Sequence, residues 1–349
     1  MSILEASELN TSIKLYFSTV VRGAPQRNGG EIVLIDWNNK IVEARHPVFP
    51  SNPDLNDPNP RGNARGGRGI EFFEDNVIVA NYHTLQIYDR RLRHKRDVSH
   101  PLFVGLHETF SNGNGRIWVS STSIDVVLGM DIKNNRAFQQ YWPRETANFQ
   151  HELNLIPLEI DKGDDNRTKF LEKKHAKHPS HLHLNAIANW NGELYGLFNS
   201  FGVIANLDKE EIVIQDNSLR HPHNLIVDED GTAIVNNTYK HAIHIYDLYE
   251  RKLVRTINLT EFELVRRLLL KGQLQYYLRG LLKKLFANQI NVPRPVFLRG
   301  LDRIGHYLFV GISPATVLCI DLRSGKLLDY FSYTDKVNVC IHGLKVLVE

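Results

Sequence analysis

At six places along the chain a His or Arg opens a short apolar strand, and the places are close to evenly spaced. They are Arg68 (RGIEF), His107 (LHETF), His183 (HLNAI), His223 (PHNLI), Arg299 (RGLDR) and His342 (IHGLK). The steps between them are 39, 76, 40, 76 and 43 residues. Each long step reads as one unit of about 40 residues plus an insertion, and a unit of that length with several strands is a propeller blade. The innermost strand of each blade lines a central channel. The six side chains are therefore expected to ring one mouth of it.

The unit is clearest from His223 to Ile257, HNLIVDEDGTAIVNNTYKHAIHIYDLYERKLVRTI. It reads as strand, acidic-Gly turn, strand, loop, strand, turn, strand. The same plan starts at Arg68, His107, His183 and Arg299. The third strand of each unit ends on an aspartate: Asp89, Asp131, Asp208, Asp247 and Asp321. A polar turn follows, which suits an outer hairpin. Residues 13–48 supply three strands and no innermost one, while the C-terminal HGLKVLVE supplies an innermost strand alone. The fold expected is all-β, a six-bladed β-propeller over residues 1–349 with a helical insertion. The N- and C-terminal strands share one blade, which closes the ring and leaves only short, protected sheet edges. A β-sandwich with a second domain would explain the strands but neither the period nor the complementary ends.

Two insertions interrupt the period. Residues 143–182 are polar and charged and read as a long loop with a short helix. Residues 258–296 contain a helical pattern over 262–287, with leucines at helical spacing, interleaved Arg and Lys, and Gly272 and Gly280 expected to break or bend it. A helix packed on the propeller rim and a basic helix lying on an anionic membrane or against a protein partner both fit this pattern. A loop over 49–67 carries Arg61 and Arg65, which could reach the mouth.

Composition removes several functions. A formal charge of +3 and the lack of any nucleic-acid-binding pattern argue against a nucleic-acid partner. Cys319 and Cys340 lie in apolar strands and read as buried thiols. The N-terminal segment lacks a signal-peptide pattern, so a cytoplasmic location is expected, with membrane association through 262–287 as its variant.

The ring itself suggests chemistry. His107, His183, His223 and His342 could bind a transition metal through neutral imidazoles, with iron first and zinc or copper also compatible. Glu71, Glu108 and Asp302 could accept the second ring N–H of these histidines. Arg68 and Arg299 could hold an anionic group of a small-molecule substrate. Glu108, Asn185 and Asn224 are the expected catalytic side chains. His83 and Tyr239 are further substrate contacts on loops at the same face. A metal-dependent oxidation or hydrolysis fits this set. So does metal-free sulfuryl or phosphoryl transfer through a histidine, and a non-catalytic binding scaffold remains a third reading.

At these motifs the chain resembles known propellers. HPHNLIVDEDGTAIVNN is similar to an NHL-type or gluconolactonase-like six-bladed repeat. HLNAIANWNGELYGLFNS, PHNLIVDEDG and RGLDRIGHYLFVGIS resemble a bacterial propeller family of unassigned function, over most of residues 66–349 outside the insertions. Two enzyme families offer analogies of site. Carotenoid cleavage oxygenases hold iron with four propeller histidines, on seven blades. Bacterial arylsulfotransferases place a His/Arg site in a six-bladed channel and are typically exported. Neither full signature is present here.

Overall fold

The computed structural model describes residues 12–22, 24, 28–49, 66–111, 116–170, 175, 177–219, 221–286 and 296–349; Arg61 and Arg65 lie outside them. Six four-stranded antiparallel sheets are arranged as blades. Blade one takes its innermost strand, Val339–Val348, from the C-terminal end of the chain and its other three, Ile13–Val21, Glu31–Asp36 and Ile41–Pro47, from the N-terminal part. The two ends pair antiparallel from Ile13 opposite Val348 to Val21 opposite Val339. Blades two to six begin with inner strands Ile70–Phe73, Leu106–Ser111, Leu184–Trp190, Pro222–Val227 and Leu301–Ile304. The expected architecture, blade count and closure are all present.

Each sheet is covered on both faces, so its middle strands read as apolar runs rather than alternations. Leu85–Tyr88 and Val317–Ile320 are buried throughout, whereas the outermost strand Ile41–Pro47 is largely exposed. The core is consequently divided into six apolar seams, one between each pair of neighbouring blades. Trp37 packs edge-on against Phe309 between blades one and six, and Phe149 against Phe198 between blades three and four. Cys319 and Cys340 are buried free thiols within this packing.

The aspartate that ends each third strand has a mechanical reason. Its carboxylate accepts the backbone N–H groups of the turn that follows, as Asp89 does from Arg91 and Arg93, both at 2.9 Å, and Asp247 from Tyr249 and Glu250, both at 2.9 Å. Asp36 does the same in blade one, through Asn39. Blade four departs from the sequence reading. There Asn206 accepts from Asp208 and Lys209, while Asp208 turns its own carboxylate toward Leu194 N and the Tyr141 hydroxyl. An amide oxygen serves the turn as well as a carboxylate, so the motif shifts by two residues.

The first insertion forms a 3-10 turn and a short helix, α1 (Ala147–Leu153), whose Phe149 and Leu153 enter the seam between blades three and four. The second forms α2 (Glu263–Phe286), which runs unbroken through Gly272 and Gly280, contrary to the expected break. Gly272 is buried, so the missing side chain serves close approach there. No helix among the described residues is long and apolar enough to cross a membrane.

Truncation before Val339 is expected to remove the inner strand of blade one and expose the seams on either side of it. The single cooperative transition in a circular-dichroism melt should then be lost. A truncated chain melting like the intact one would show that closure does not hold the ring.

Candidate functional site

The six expected residues do converge, but as two trios rather than one ring. His342, His107 and His223 come from the inner strands of blades one, three and five, and they are buried at 1%, 3% and 2% exposure. One ring nitrogen from each lies within 4.8 Å of the others. Arg68, His183 and Arg299 come from blades two, four and six, just ahead of the regular strand, and are half-buried. His183 is thus set apart from the other three histidines. Its ring centroid is 6.2 Å from that of His107, whereas His107 lies 4.6 Å from His342 and 5.0 Å from His223. The expected cluster of four is a cluster of three with His183 beside it.

Strand geometry produces this division. Side chains alternate across a strand, so adjacent residues cannot normally both face the channel, and a β-bulge lifts that restriction. The pairing shifts register at His107–Glu108, at Asn185, and at Asn224, and in blade one it shifts opposite His342–Gly343. Asn224 has a left-handed backbone with φ of 52°. Blades two and six use Arg-Gly pairs instead. A side chain at Gly69 would collide with Glu108 on the next blade, and Gly300 N donates to Asn224 Oδ1 at 2.8 Å.

Asn185 positions two of the histidines at once. Its backbone oxygen is 2.9 Å from His107 Nδ1. That bond puts the His107 proton on Nδ1 and leaves Nε2 as a lone pair. The Asn185 side chain donates to Pro222 O at 2.9 Å and to His223 Nε2 at 3.3 Å. Among the described residues, His223 Nδ1 has no hydrogen-bond partner, and neither ring nitrogen of His342 has one. A buried polar atom left unpaired costs about 1–3 kcal/mol, so these atoms call for a ligand, an ion or water.

Burial is the leading cause holding all four rings neutral, well below the ordinary histidine value. For His342 the next contributions come from Arg299, Arg68 and Arg22. Arg22 escaped the sequence reading. It follows strand Ile13–Val21, whose end arrives beside the start of the inner strand at Val339, and its guanidinium stacks 3.6 Å from the Phe297 ring centroid. The signal was available: Arg22–Gly23 repeats the Arg-Gly pair of Arg68 and Arg299.

The acidic residues do not partner the histidines as expected. Glu71 pairs with Lys345 at 3.1 Å, and Asp302 accepts Val346 N at 2.7 Å. Glu108 Oε2 accepts from Asn224 Nδ2 at 2.7 Å, and burial pushes its carboxyl up to about 8. Each of these residues lies further along its inner strand than the His or Arg ring. The channel is therefore layered: guanidinium groups outermost, neutral imidazoles next, then carboxylates around Lys345. Asn224 spans blades three, five and six and is a structural bridge as placed.

The remaining candidates separate. Tyr239 is exposed, tilted against His221 at 4.1 Å and edge-on to Phe297 at 6.2 Å between ring centroids, so it belongs to an aromatic rim shared with Arg22 and Arg299. His83 is buried between blades two and three, with Nδ1 3.0 Å from Phe103 O. His175 bonds Ser123 O at 2.8 Å beside Phe170. His181 is buried, with Nε2 2.9 Å from Thr122 O and its ring 5.3 Å from His183.

No known protein family and no curated protein matches the chain. Solved structures do. A protein of unknown function from Bacteroides caccae is similar with a TM-score of 0.56 at 12% identity, over 97% of this chain and 99% of that one. A chain of a nidogen/laminin complex is similar with a TM-score of 0.53 at 12% identity, over 96% and 98%. At such identity the likeness is one of fold: the chain is a six-bladed propeller with a three-histidine group at the channel.

Nitrogen NMR of the imidazoles is expected to find His107 as the Nδ1–H tautomer. An Nε2–H signature would contradict the bond to Asn185 and the positioning role assigned to it.

Proposed function

We propose that the channel mouth is a metal-dependent active site acting on a small anionic molecule. His107, His223 and His342 would hold a divalent transition metal, iron being the first candidate and zinc or copper equally compatible with an all-imidazole donor set. The observation that carries this reading is His342: buried, neutral, with both ring nitrogens lacking a hydrogen-bond partner among the described residues and one of them within 4.8 Å of nitrogens on two further histidines. The metal would supply Lewis acidity or redox chemistry, and three protein ligands leave coordination positions for substrate. Arg22, Arg68 and Arg299 surround the same point and would receive the anionic group. His183, whose ring centroid is 6.2 Å from that of His107, would be a further donor beside the arginines. Glu108, held protonated at neutral pH by burial, would give or take a proton below the imidazole layer.

The arginines also oppose a bare cation, so the metal and an anion should bind together. Purified protein is expected to carry stoichiometric metal that His342→Ala loses while keeping its melting transition. Arg299→Gln should tighten metal binding by about tenfold without anion present and weaken the anion by a similar factor. Metal-free protein that also refuses added iron, zinc and copper would sink this reading.

One observation favours metal-free chemistry. The Asn185 amide donating to His223 Nε2 places the His223 proton on Nδ1, as an N–H donor without a partner among the described residues. With three guanidinium groups near, this suits a bound aryl sulfate or phosphate, whose sulfuryl or phosphoryl group would pass to the basic nitrogen of His107 or His342 as its S–O or P–O bond to the phenol breaks and the phenol leaves, protonated from solvent. A covalent adduct on either ring, trapped with an aryl sulfate or phosphate and located by mass spectrometry, would replace the metal reading. Recovery of the unmodified peptide would leave that reading in place.

A further inference from the structure

The second insertion carries an apolar face that the propeller does not use. The first turns of α2 dock through Val265, Leu268 and Leu269 into the seam between blades five and six, with Phe262 and Leu264 beside them. On the other side of the same helix Leu270, Leu274, Tyr277 and Leu278 are exposed at 66%, 62%, 74% and 52%. Their spacing of i, i+4, i+7 and i+8 is one stripe of a helix with about 3.6 residues per turn. The sequence continues the spacing at Leu281 and Leu285. Exposed apolar side chains scattered singly are ordinary, but a continuous stripe on one projecting helix marks an interaction surface.

The charges indicate what covers it. From Leu264 to Phe286 the helix contains no acidic residue and has Arg266, Arg267, Lys271, Arg279, Lys283 and Lys284. Arg266 and Lys271 are exposed and fall on opposite edges of the stripe at 100° per residue. Arg267 pairs with Glu263, the only acidic residue of the helix. Two copies meeting stripe to stripe would set these cationic edges against one another, whereas an anionic lipid surface complements both. Apolar residues on two opposite sides also explain how one helix can be held by the propeller and still offer a lipid-facing side.

We propose that α2 is a membrane-surface anchor, laying Leu270, Leu274, Tyr277 and Leu278 into the interface of an anionic bilayer with Arg266 and Lys271 at headgroup level. This is independent of what the channel binds. The test is co-sedimentation of the full chain with phosphatidylcholine vesicles carrying about a third phosphatidylglycerol, against vesicles of phosphatidylcholine alone. Binding to the charged vesicles that weakens with salt is expected. Loss of about tenfold or more in Leu274→Glu/Tyr277→Glu is expected, because both side chains would leave the apolar layer. Both residues are exposed, so the melting transition should not move. Failure of the intact chain to bind charged vesicles at low salt overturns the anchor. So does equal binding by the double variant. A dimer in vesicle-free solution that the double variant dissociates, seen by sedimentation velocity, assigns the stripe to a second copy instead.

Discussion

The structure depends on one antiparallel pairing, that of Val339–Val348 along Ile13–Val21. A propeller of open sheets has a first and a last blade, and each would show water an apolar face. Joining the two ends of the chain in blade one removes both faces. The Ser18 hydroxyl then donates to Arg68 O at 2.5 Å and accepts from Gly343 N at 2.9 Å, tying the closing strand to blade two. Gly343 is needed there because any side chain would strike the backbone at Arg68. The same pairing carries His342 and Lys345 into the channel. Closure of the fold and completion of the site are therefore one event.

Around that closed ring, hydrogen bonds pass from blade to blade. Gly69 N donates to His107 O, His107 Nδ1 to Asn185 O, the Asn185 amide to Pro222 O, and Gly300 N to Asn224 Oδ1. These bonds hold side chains that an unbulged strand could not aim inward together. They set three neutral imidazoles between a layer of guanidinium groups and a layer of carboxylates around Lys345. An imidazole in such a place is kept neutral by desolvation and by nearby cations, so each ring keeps one N–H and one lone pair, that of His223 already accepting from the Asn185 amide. That is the electrostatic condition for binding either a metal with an accompanying anion or an anion alone.

Much of this was legible in the chain. The period, the strand content, the blade closed by both ends and the helix near 262–287 follow from local patterns, and local patterns survive folding. Errors arose where a role can be filled by more than one chemistry. Asn206 replaces Asp208 at a turn because both side chains offer the needed oxygen. The carboxylates expected to orient histidines are engaged elsewhere because a backbone oxygen, that of Asn185, orients His107, and backbone groups leave no trace in a sequence. Arg22 was missed because it follows a second strand rather than preceding an inner one.

The sequence by itself determined how many blades form, that the ends share one, and which His and Arg residues open the inner strands at the channel, because strand period and repeat length are properties of the chain alone. Only the tertiary structure decided that these residues separate by alternate blades, leaving His183 with the arginines and the other three histidines within 4.8 Å. The reason is physical. Depth along a channel depends on bulges and on where each strand begins, and both are set by contacts between neighbouring blades, which arise only once the ring has closed.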